Sequence, residues 1–285
     1  MLSNGLVIVG LEPENSDASS QFMNNLPQTL SSEVTDAINA FINESDKFRD
    51  WNDAEVQTLV RAIEKLQKID AREAFIRFGA VAAICGNVDD VFAYYDKVLR
   101  LPDEAETKRE FWTSMGNAGL YVKAQEIGSW LLDPKRGFFQ KVWQQAVSLG
   151  QVLEVWNRLP EAKKTYPDLS QVDFSIVENA AAIMEIHGLS DQEIGSVFDI
   201  LGEVQREHRI MFAGQLGTIL RVMRPPEDSA YLYFTMPLNV SVDEIHAMNR
   251  ELARRIVKRL PGGVFPQGLV ASFAKSYPVE LLAAA

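Results

Sequence analysis

The stretch REAFIRFGAVAAICGNVDDVFAYYDKVLRLP, residues 72–102, decides the fold of this chain. Its first half is apolar and helix-forming as far as Gly86, and its second half resumes as an amphipathic segment. Gly79 would let two antiparallel helix backbones come close, while Phe75 and Tyr95 would fill the space that remains between them. The stretch therefore predicts a helical hairpin.

Glycines that would end the first helix of a hairpin recur along the chain. They are Gly86, Gly119, Gly150 and Gly188, spaced 33, 31 and 38 residues apart. A period near 34 residues is that of the tetratricopeptide repeat, and the first unit resembles that family most closely. The resemblance rests on large, small and aromatic residues at the family's spacing, namely Phe75, Phe78, Gly79, Val91, Tyr95 and Val98.

Two further units follow with a weaker pattern, so that the resemblance covers residues 72–160. In the second unit Trp112 stands where the family has a small residue and Gly128 where it has an aromatic one. In the third unit Pro160 is expected to end the second helix early. A fourth helix pair is predicted at residues 173–187 and 191–207, with Ser190 as its N-cap.

The resemblance implies a concave groove lined by the first helix of each unit, where a protein or peptide would bind. Its apolar first part suggests an apolar partner, or the chain's own N-terminal region, inside the groove. The candidate groove residues are Ile76, Ala80, Ala83, Ile84, Arg109, Thr113, Gly116, Asn117, Gln140, Gln144, Val147 and Ser148.

Changes in composition and hydrophobic periodicity divide the chain into three parts. Residues 1–30 form an N-terminal arm or linker. Its stretch GLVIVGL, residues 5–11, is rich in β-branched residues and indicates a short strand or an apolar arm. Residues 31–207 form the helical-hairpin domain, with helices starting near Ser32 and Asp53. Residues 208–285 form a small α+β unit, because β-like segments at 218–223, 231–236 and 269–273 surround a helix at 241–260. We therefore expect a mostly α fold with a C-terminal β-β-α-β unit that packs on the helices.

Charge is distributed unevenly along the chain. Residues 1–60 hold 10 acids and 2 bases (net −8), residues 61–205 hold 22 and 16 (net −6), and residues 206–285 hold 7 and 10 (net +3), for a total of −11. An acidic body disfavours nucleic acid and anionic membranes as partners. With one cysteine, no signal-peptide pattern and no apolar stretch of membrane-spanning length, we expect a cytoplasmic protein. A protein secreted without a leader would share these features.

The side chains that carry most enzyme chemistry are few and scattered. His187, His208 and His246 are not at a metal-binding spacing, and Cys85 is expected to be a buried structural thiol. The phosphate-binding, dinucleotide-binding and serine-hydrolase glycine motifs do not occur in the sequence. We expect no catalytic residue, no cofactor and no metal.

One basic run stands out in this acidic chain. Arg254, Arg255, Lys258 and Arg259 close the predicted helix that begins at Ser241, where cations complement the helix dipole. The alternative is a docking patch for an acidic partner, which would include the acidic N-terminal segment of this chain.

Three functions remain open from the sequence. The first is a non-enzymatic adaptor or scaffold that binds a protein or peptide in the helical groove. The second is an acidic immunity or inhibitor protein that neutralises a basic toxin or enzyme. The third is a small-molecule binder or enzyme with a site between the helices and the C-terminal sheet, lined by Tyr231, Tyr233, His246, Arg250 and Arg254.

Overall fold

A computed structural model describes residues 25–44, 47–101, 105–211 and 218–276, with side chains left out at 25–30, 43–44 and 106. The predicted strand at residues 5–11 and the last residues of the chain lie outside these ranges. The described ranges contain α1 (Asn25–Glu44), α2 (Ala54–Gln67), α3 (Ala71–Cys85), α4 (Val88–Val98), α5 (Ala105–Asn117), α6 (Tyr121–Leu131), α7 (Phe139–Ser148), α8 (Val152–Thr165), α9 (Ser175–His187), α10 (Asp191–His208), β1 (Ile219–Met223), β2 (Tyr231–Leu238), α11 (Val242–Arg259) and β3 (Leu269–Lys275).

The predicted fold class is confirmed: the chain is mostly α, with a small α+β unit at the C-terminal end of the described residues. The three strands form one sheet in the order β1-β2-β3. β1 and β2 are antiparallel, with Leu220 opposite Phe234, and β2 and β3 are parallel, with Phe234 opposite Ala271. The helix α11 connects the two parallel strands, as such a crossover requires.

The α3–α4 hairpin forms where the sequence predicts it, and local signals set its limits. The Asp70 side chain caps α3 by accepting the backbone N–H of Glu73 at 2.9 Å. Gly86 ends α3 with a φ of 71°, a left-handed conformation that glycine adopts without steric cost. The small residue Gly79 serves mainly the next hairpin, because a Cβ there would lie 2.8 Å from the Phe111 ring of α5.

In the second hairpin, α5–α6, the two departures from the repeat pattern are Trp112 in place of a small residue and Gly128 in place of an aromatic one. These two residues lie next to each other in the structure. A Cβ on Gly128 would lie 2.0 Å from Gln151 Oε1 and 3.0 Å from Trp112 Nε1, so Gln151 and the large residue on α5 together occupy the space beside this glycine. Trp112 is buried, with 1% of its surface exposed. The exchange of large and small residues therefore preserves the packing of two antiparallel helices.

Two helix limits differ from the prediction. The helix α1 begins at Asn25, inside the segment that the sequence suggested was a linker, so the arm expected at residues 1–30 ends earlier. Pro160 does not end α8, which continues to Thr165. Pro160 itself is exposed, and Leu159 and Ala162 on either side of it are buried, so tertiary packing holds the turn that the proline weakens.

The predicted fourth helix pair exists as two helices but does not pack as a hairpin. Helix α9 packs mainly on α8, whereas α10 packs mainly on α6 and α11. The predicted N-cap is correct: Ser190 and Glu193 form a reciprocal capping box at the start of α10. The helix α10 therefore runs across the other hairpins and does not extend their array.

The C-terminal unit packs on the helical body, as the sequence predicts. The ring of Phe198 on α10 meets the ring of Phe234 on β2 edge-on, with centroids 5.0 Å apart. At the outer edge of β3, the Asn249 side chain on α11 donates to the carbonyl of Phe273 and accepts its N–H, both at 2.9 Å. Helix and strands thus share one core with the hairpins.

The stripe predicted for α11 is right for four of its five residues. Ile245, Met248, Leu252 and Ile256 are buried, but Val257 is 66% exposed. Among the described helices none is long and apolar enough to cross a bilayer.

Candidate functional site

The apolar wall expected for the groove is not an open surface. Ile76 and Ile84 on α3 are 4% and 0% exposed, Ala83 is buried, and only Ala80 is partly exposed. Helix α3 has α1, α2, α4 and α5 packed against it, which leaves little of its circumference for a partner. Ile76 and Ile84 are therefore core residues, a correction to their placement in the groove.

The surface shared by α3 and α5 carries a ladder of charged side chains. Glu73 Oε1 accepts from the Ser31 hydroxyl and from Arg77 Nη2, both at 2.6 Å. Arg77 then approaches Glu110 on α5 at 3.7 Å, and Glu110 pairs with Arg109 at 2.9 Å. Of these charged residues, the sequence predicts only Arg109 as a site residue. The i, i+4 spacing of Glu73 and Arg77 is the sequence signal that indicates the ion pair between them.

Beyond this ladder, α5 carries a line of polar side chains. Arg109, Thr113 and Asn117 are four residues apart and are each partly exposed. The Thr113 hydroxyl donates to the Arg109 carbonyl at 3.2 Å, while the Asn117 amide makes no hydrogen bond within the described residues. The structure thus places three of the predicted groove residues on one line.

Helix α7 contributes less to this surface than the repeat pattern predicts. Gln140 is exposed and Gln144 is partly exposed, but α7 packs chiefly on α8 and α6. Val147 and Ser148 on this helix are buried, as is Gly116 on α5, which corrects their placement in the groove. It meets α5 near the carboxyl end of both helices, where a Cβ on Gly116 would lie 3.4 Å from Leu149 Cδ2. The surface that holds the predicted residues is therefore the α3–α5 face, with α7 beside its far end.

Two of the four cations in the basic run on α11, Arg255 and Arg259, face α10. Arg255 pairs with Glu203 at 2.9 Å, with Glu251 at 3.0 Å and also with Glu207, and Arg259 pairs with Glu203 as well. These hydrogen bonds to carboxylates raise the pKa of Arg255 above its ordinary value. Arg255, whose side chain is 13% exposed, therefore joins α11 to α10, which corrects its assignment to a docking patch. Arg259 pairs with Glu203, but half of its side chain stays exposed.

An open depression of about 470 Å³ lies over this charge cluster. It is lined by Gly86, Glu203, Arg206, Glu207, Glu251, Arg255, Lys258 and Arg259. Its cations and anions are largely paired with each other. Arg206 donates to the carbonyl of Gly119 at 2.9 Å.

The five residues considered for a small-molecule site do not line that depression. Tyr231 and Tyr233 lie on the sheet face opposite the buried Leu232 and Phe234, and the Tyr233 hydroxyl bonds to Ser272 Oγ at 2.8 Å. His246 and Arg250 are exposed on α11, as is Arg254. These side chains therefore do not form one site.

The remaining groups with catalytic potential are occupied in structural contacts. His187 Nε2 donates to the carbonyl of Ala230 at 2.9 Å, and His208 Nδ1 donates to the Glu244 carboxylate. Both contacts join the helical body to the C-terminal unit. Cys85 is buried, and burial raises its pKa to about 12, so its thiol stays protonated at neutral pH. Within the described residues there is no cluster of His, Cys, Asp and Glu that could hold a metal ion.

Comparison with known proteins yields no relative. No family model, no curated protein and no solved structure matches the chain.

Proposed function

We propose that this protein is a non-enzymatic protein–protein interaction module, an adaptor or scaffold that binds an extended peptide segment on the α3–α5 face. The observation that carries the proposal is the line of Arg109, Thr113 and Asn117, which stays partly exposed although α3 packs beside it. Side chains four residues apart on a rigid helix present polar groups at a fixed spacing of about one turn.

The chemistry of this line suits a peptide backbone. A carboxamide offers both donors and an acceptor, as the N–H and C=O groups of an extended peptide require. Asn117 supplies one such group on α5 and Gln144 a second on α7, and the Glu73–Arg77–Glu110 ladder joins α3 to α5 on the same face. The free Cys85 suits a reducing compartment, so we propose the cytoplasm as the place of this interaction.

The test is selection of peptides on the intact protein from a random display library, followed by calorimetry of the selected sequences. We expect Asn117→Ala and Thr113→Arg to weaken binding about tenfold or more, because each removes or blocks a buried contact in the complex. Neither change touches the core, so the thermal midpoint should stay within a few degrees of the wild type.

Lys65→Ala is the matched control, since Lys65 is exposed on α2, away from the face. The proposal fails if selection yields no peptide of measurable affinity. It also fails if the selected peptides bind the Asn117 and Thr113 variants as tightly as they bind the wild type.

A further inference from the structure

From Arg250 to its carboxyl end, helix α11 has a solvent side that no described element covers. Arg250, Arg254 and Val257 follow one another at spacings of four and three residues, so they share one side of the helix, and Lys258, four residues after Arg254, borders it. At about 100° per residue this side lies opposite the buried stripe that ends at Ile256. The Arg254 side chain is 70% exposed and Val257 is 66% exposed.

A second exposed valine lies next to this side. After α11 the chain turns through Gly262 and Gly263, both with positive φ, and then presents Val264, which is 64% exposed. A Cβ on Gly263 would lie 3.8 Å from Val257 Cγ1, and one on Gly262 would lie 3.9 Å from Val264 Cγ2. The two valines therefore flank the same glycine pair.

The cations of α11 divide into two groups. Arg255 and Arg259 pair with carboxylates of α10. Arg250 and Lys258 have no carboxylate partner among the residues that the structure describes, and Arg254 has only Glu251 at 3.4 Å. We call Arg250, Arg254, Val257, Lys258 and Val264 the α11 patch. It combines exposed apolar side chains with cations that have one carboxylate partner or none, and its Lys258 also lines the depression that holds Glu203, Glu207 and Glu251.

We propose that the α11 patch docks an acidic protein segment that carries apolar side chains, at a surface separate from the α3–α5 face. The carboxylates of such a segment would pair with Arg250, Arg254 and Lys258, while its apolar side chains would cover the two valines. Exposed charges alone give weak pairing, so the apolar contact supplies the part of the binding that salt does not screen.

The net charge of the chain favours this occupant over an anionic membrane. An anionic membrane is a wide, uniformly negative surface. If the patch lay against it, the acidic parts of this chain, whose net charge is −11, would also come close to the membrane and be repelled. A short segment meets the local positive patch alone, because charges beyond about 8 Å are screened at physiological salt. The proposal stands whether or not the α3–α5 face binds peptides.

The test uses fluorescence anisotropy of the full chain with three labelled synthetic peptides of equal length. The first contains glutamates with interspersed leucine and phenylalanine, the second replaces the apolar residues with serine, and the third replaces glutamate with glutamine. We expect the first to bind at least about tenfold more tightly than either of the others, since each of those lacks one of the two contributions.

The variants are chosen at exposed positions so that the fold is kept. Arg254→Glu combined with Lys258→Glu should weaken the first peptide about tenfold or more, and Val257→Ser combined with Val264→Ser about threefold or more. Lys65→Glu is the control for a charge reversal on another exposed helix and should leave the affinity unchanged. Equal melting temperatures for all variants establish that the fold is intact.

Three outcomes would overturn the proposal. The first is equal binding of the three peptides. The second is an affinity that neither double variant changes. The third is binding to phosphatidylserine-containing vesicles with no binding of the acidic apolar peptide, which would make the patch a membrane contact.

Discussion

Asp199 on α10 caps the amino end of α6, where its Oδ1 accepts the backbone N–H of Tyr121 at 2.6 Å. Eight residues earlier, Asp191 caps α8 in the same way, with its Oδ1 accepting the N–H of Leu153 at 3.0 Å. Seven residues after Asp199, Arg206 binds carbonyls at the carboxyl end of α5. One side of α10 thus offers negative charge to two helix amino ends and positive charge to a carboxyl end, as the helix dipoles favour.

The cap on α6 predicts a clear cost for its removal. Asp199→Ala should lower the free energy of unfolding by about 1–2 kcal/mol, because two backbone N–H groups lose their acceptor. Asp199→Asn should cost less, since an amide oxygen still accepts. Urea unfolding measures both, with Asp96→Ala on the exposed side of α4 as a control expected within about 0.5 kcal/mol of the wild type. Equal stability of the Asp199→Ala and Asp96→Ala variants would contradict the capping role.

Close backbone contact between α10 and the α5–α6 turn predicts that Gly202 tolerates no side chain. A Cβ at Gly202 would lie 2.1 Å from the carbonyl oxygen of Gly119, and backbone atoms there cannot move aside without shifting a helix. Gly202→Ala should therefore destabilise the protein by about 2 kcal/mol or more in chemical unfolding.

The matched control is Gly116→Ala in α5, whose Cβ would have Leu149 Cδ2 as its nearest neighbour at 3.4 Å. An alanine there should be neutral or stabilising by up to about 1 kcal/mol, because alanine favours the helix. If the two alanine variants prove equally stable, α10 does not lie against the turn as described.

The buried cap of α8 predicts a particular pH dependence. Burial raises the pKa of Asp191 to about 6, although backbone N–H groups of α8 that donate to it act in the opposite direction. In the unfolded chain the pKa returns to its ordinary value near 3.8, so the folded state binds this proton more tightly. The contribution of Asp191 to stability should therefore rise as the pH falls, by about 1 kcal/mol between about pH 7 and about pH 5.

Urea unfolding of the wild type and Asp191→Asn at both pH values isolates this contribution. The variant has no carboxyl group to titrate, so the wild type should gain about 1 kcal/mol relative to it on acidification. A constant difference between the two proteins over this range would show that Asp191 has an ordinary pKa.

Cys85 should be unreactive in the native protein. Its side chain is buried and burial raises its pKa to about 12, so near pH 8 only about one thiol in ten thousand is ionised. Iodoacetamide should therefore label the thiol only after unfolding. Ala93→Cys places a second thiol on the exposed side of α4 and should add one rapidly labelled site per molecule. Fast labelling of native wild-type protein would contradict the burial of Cys85.

Signals confined to a few neighbouring residues were read correctly from the sequence. Asp53, Ser190 and Ser241 precede helices at the expected positions, and Gly86 and Gly188 end helices with positive φ. A cap, a left-handed turn and an alternating strand each depend on backbone geometry within one or two turns. Their residues therefore reveal them without knowledge of the partners.

The exposure of individual side chains could not be predicted from such local signals. Ile76 and Ile84 fit the groove positions of the repeat pattern, yet they are buried because α3 has helices packed around it. Val257 fits an apolar stripe on α11, yet it lies beyond the width of the surface that the helix covers. Periodicity shows which residues share a side of a helix, but the neighbouring elements decide which side is covered.

The sequence by itself determined the mostly α class, the hairpin at residues 72–102 and the β-β-α-β unit, because periodicity, caps and chain breakers act locally. Only the tertiary structure decided that α10 leaves the array and crosses the other hairpins. Its side toward them combines Asp191, Asp199 and Arg206 with Gly195 and Gly202, and each of these matters through a residue on another helix. Likewise, only the pairing of Arg255 with Glu203 separated the cations that hold the fold from those of the α11 patch.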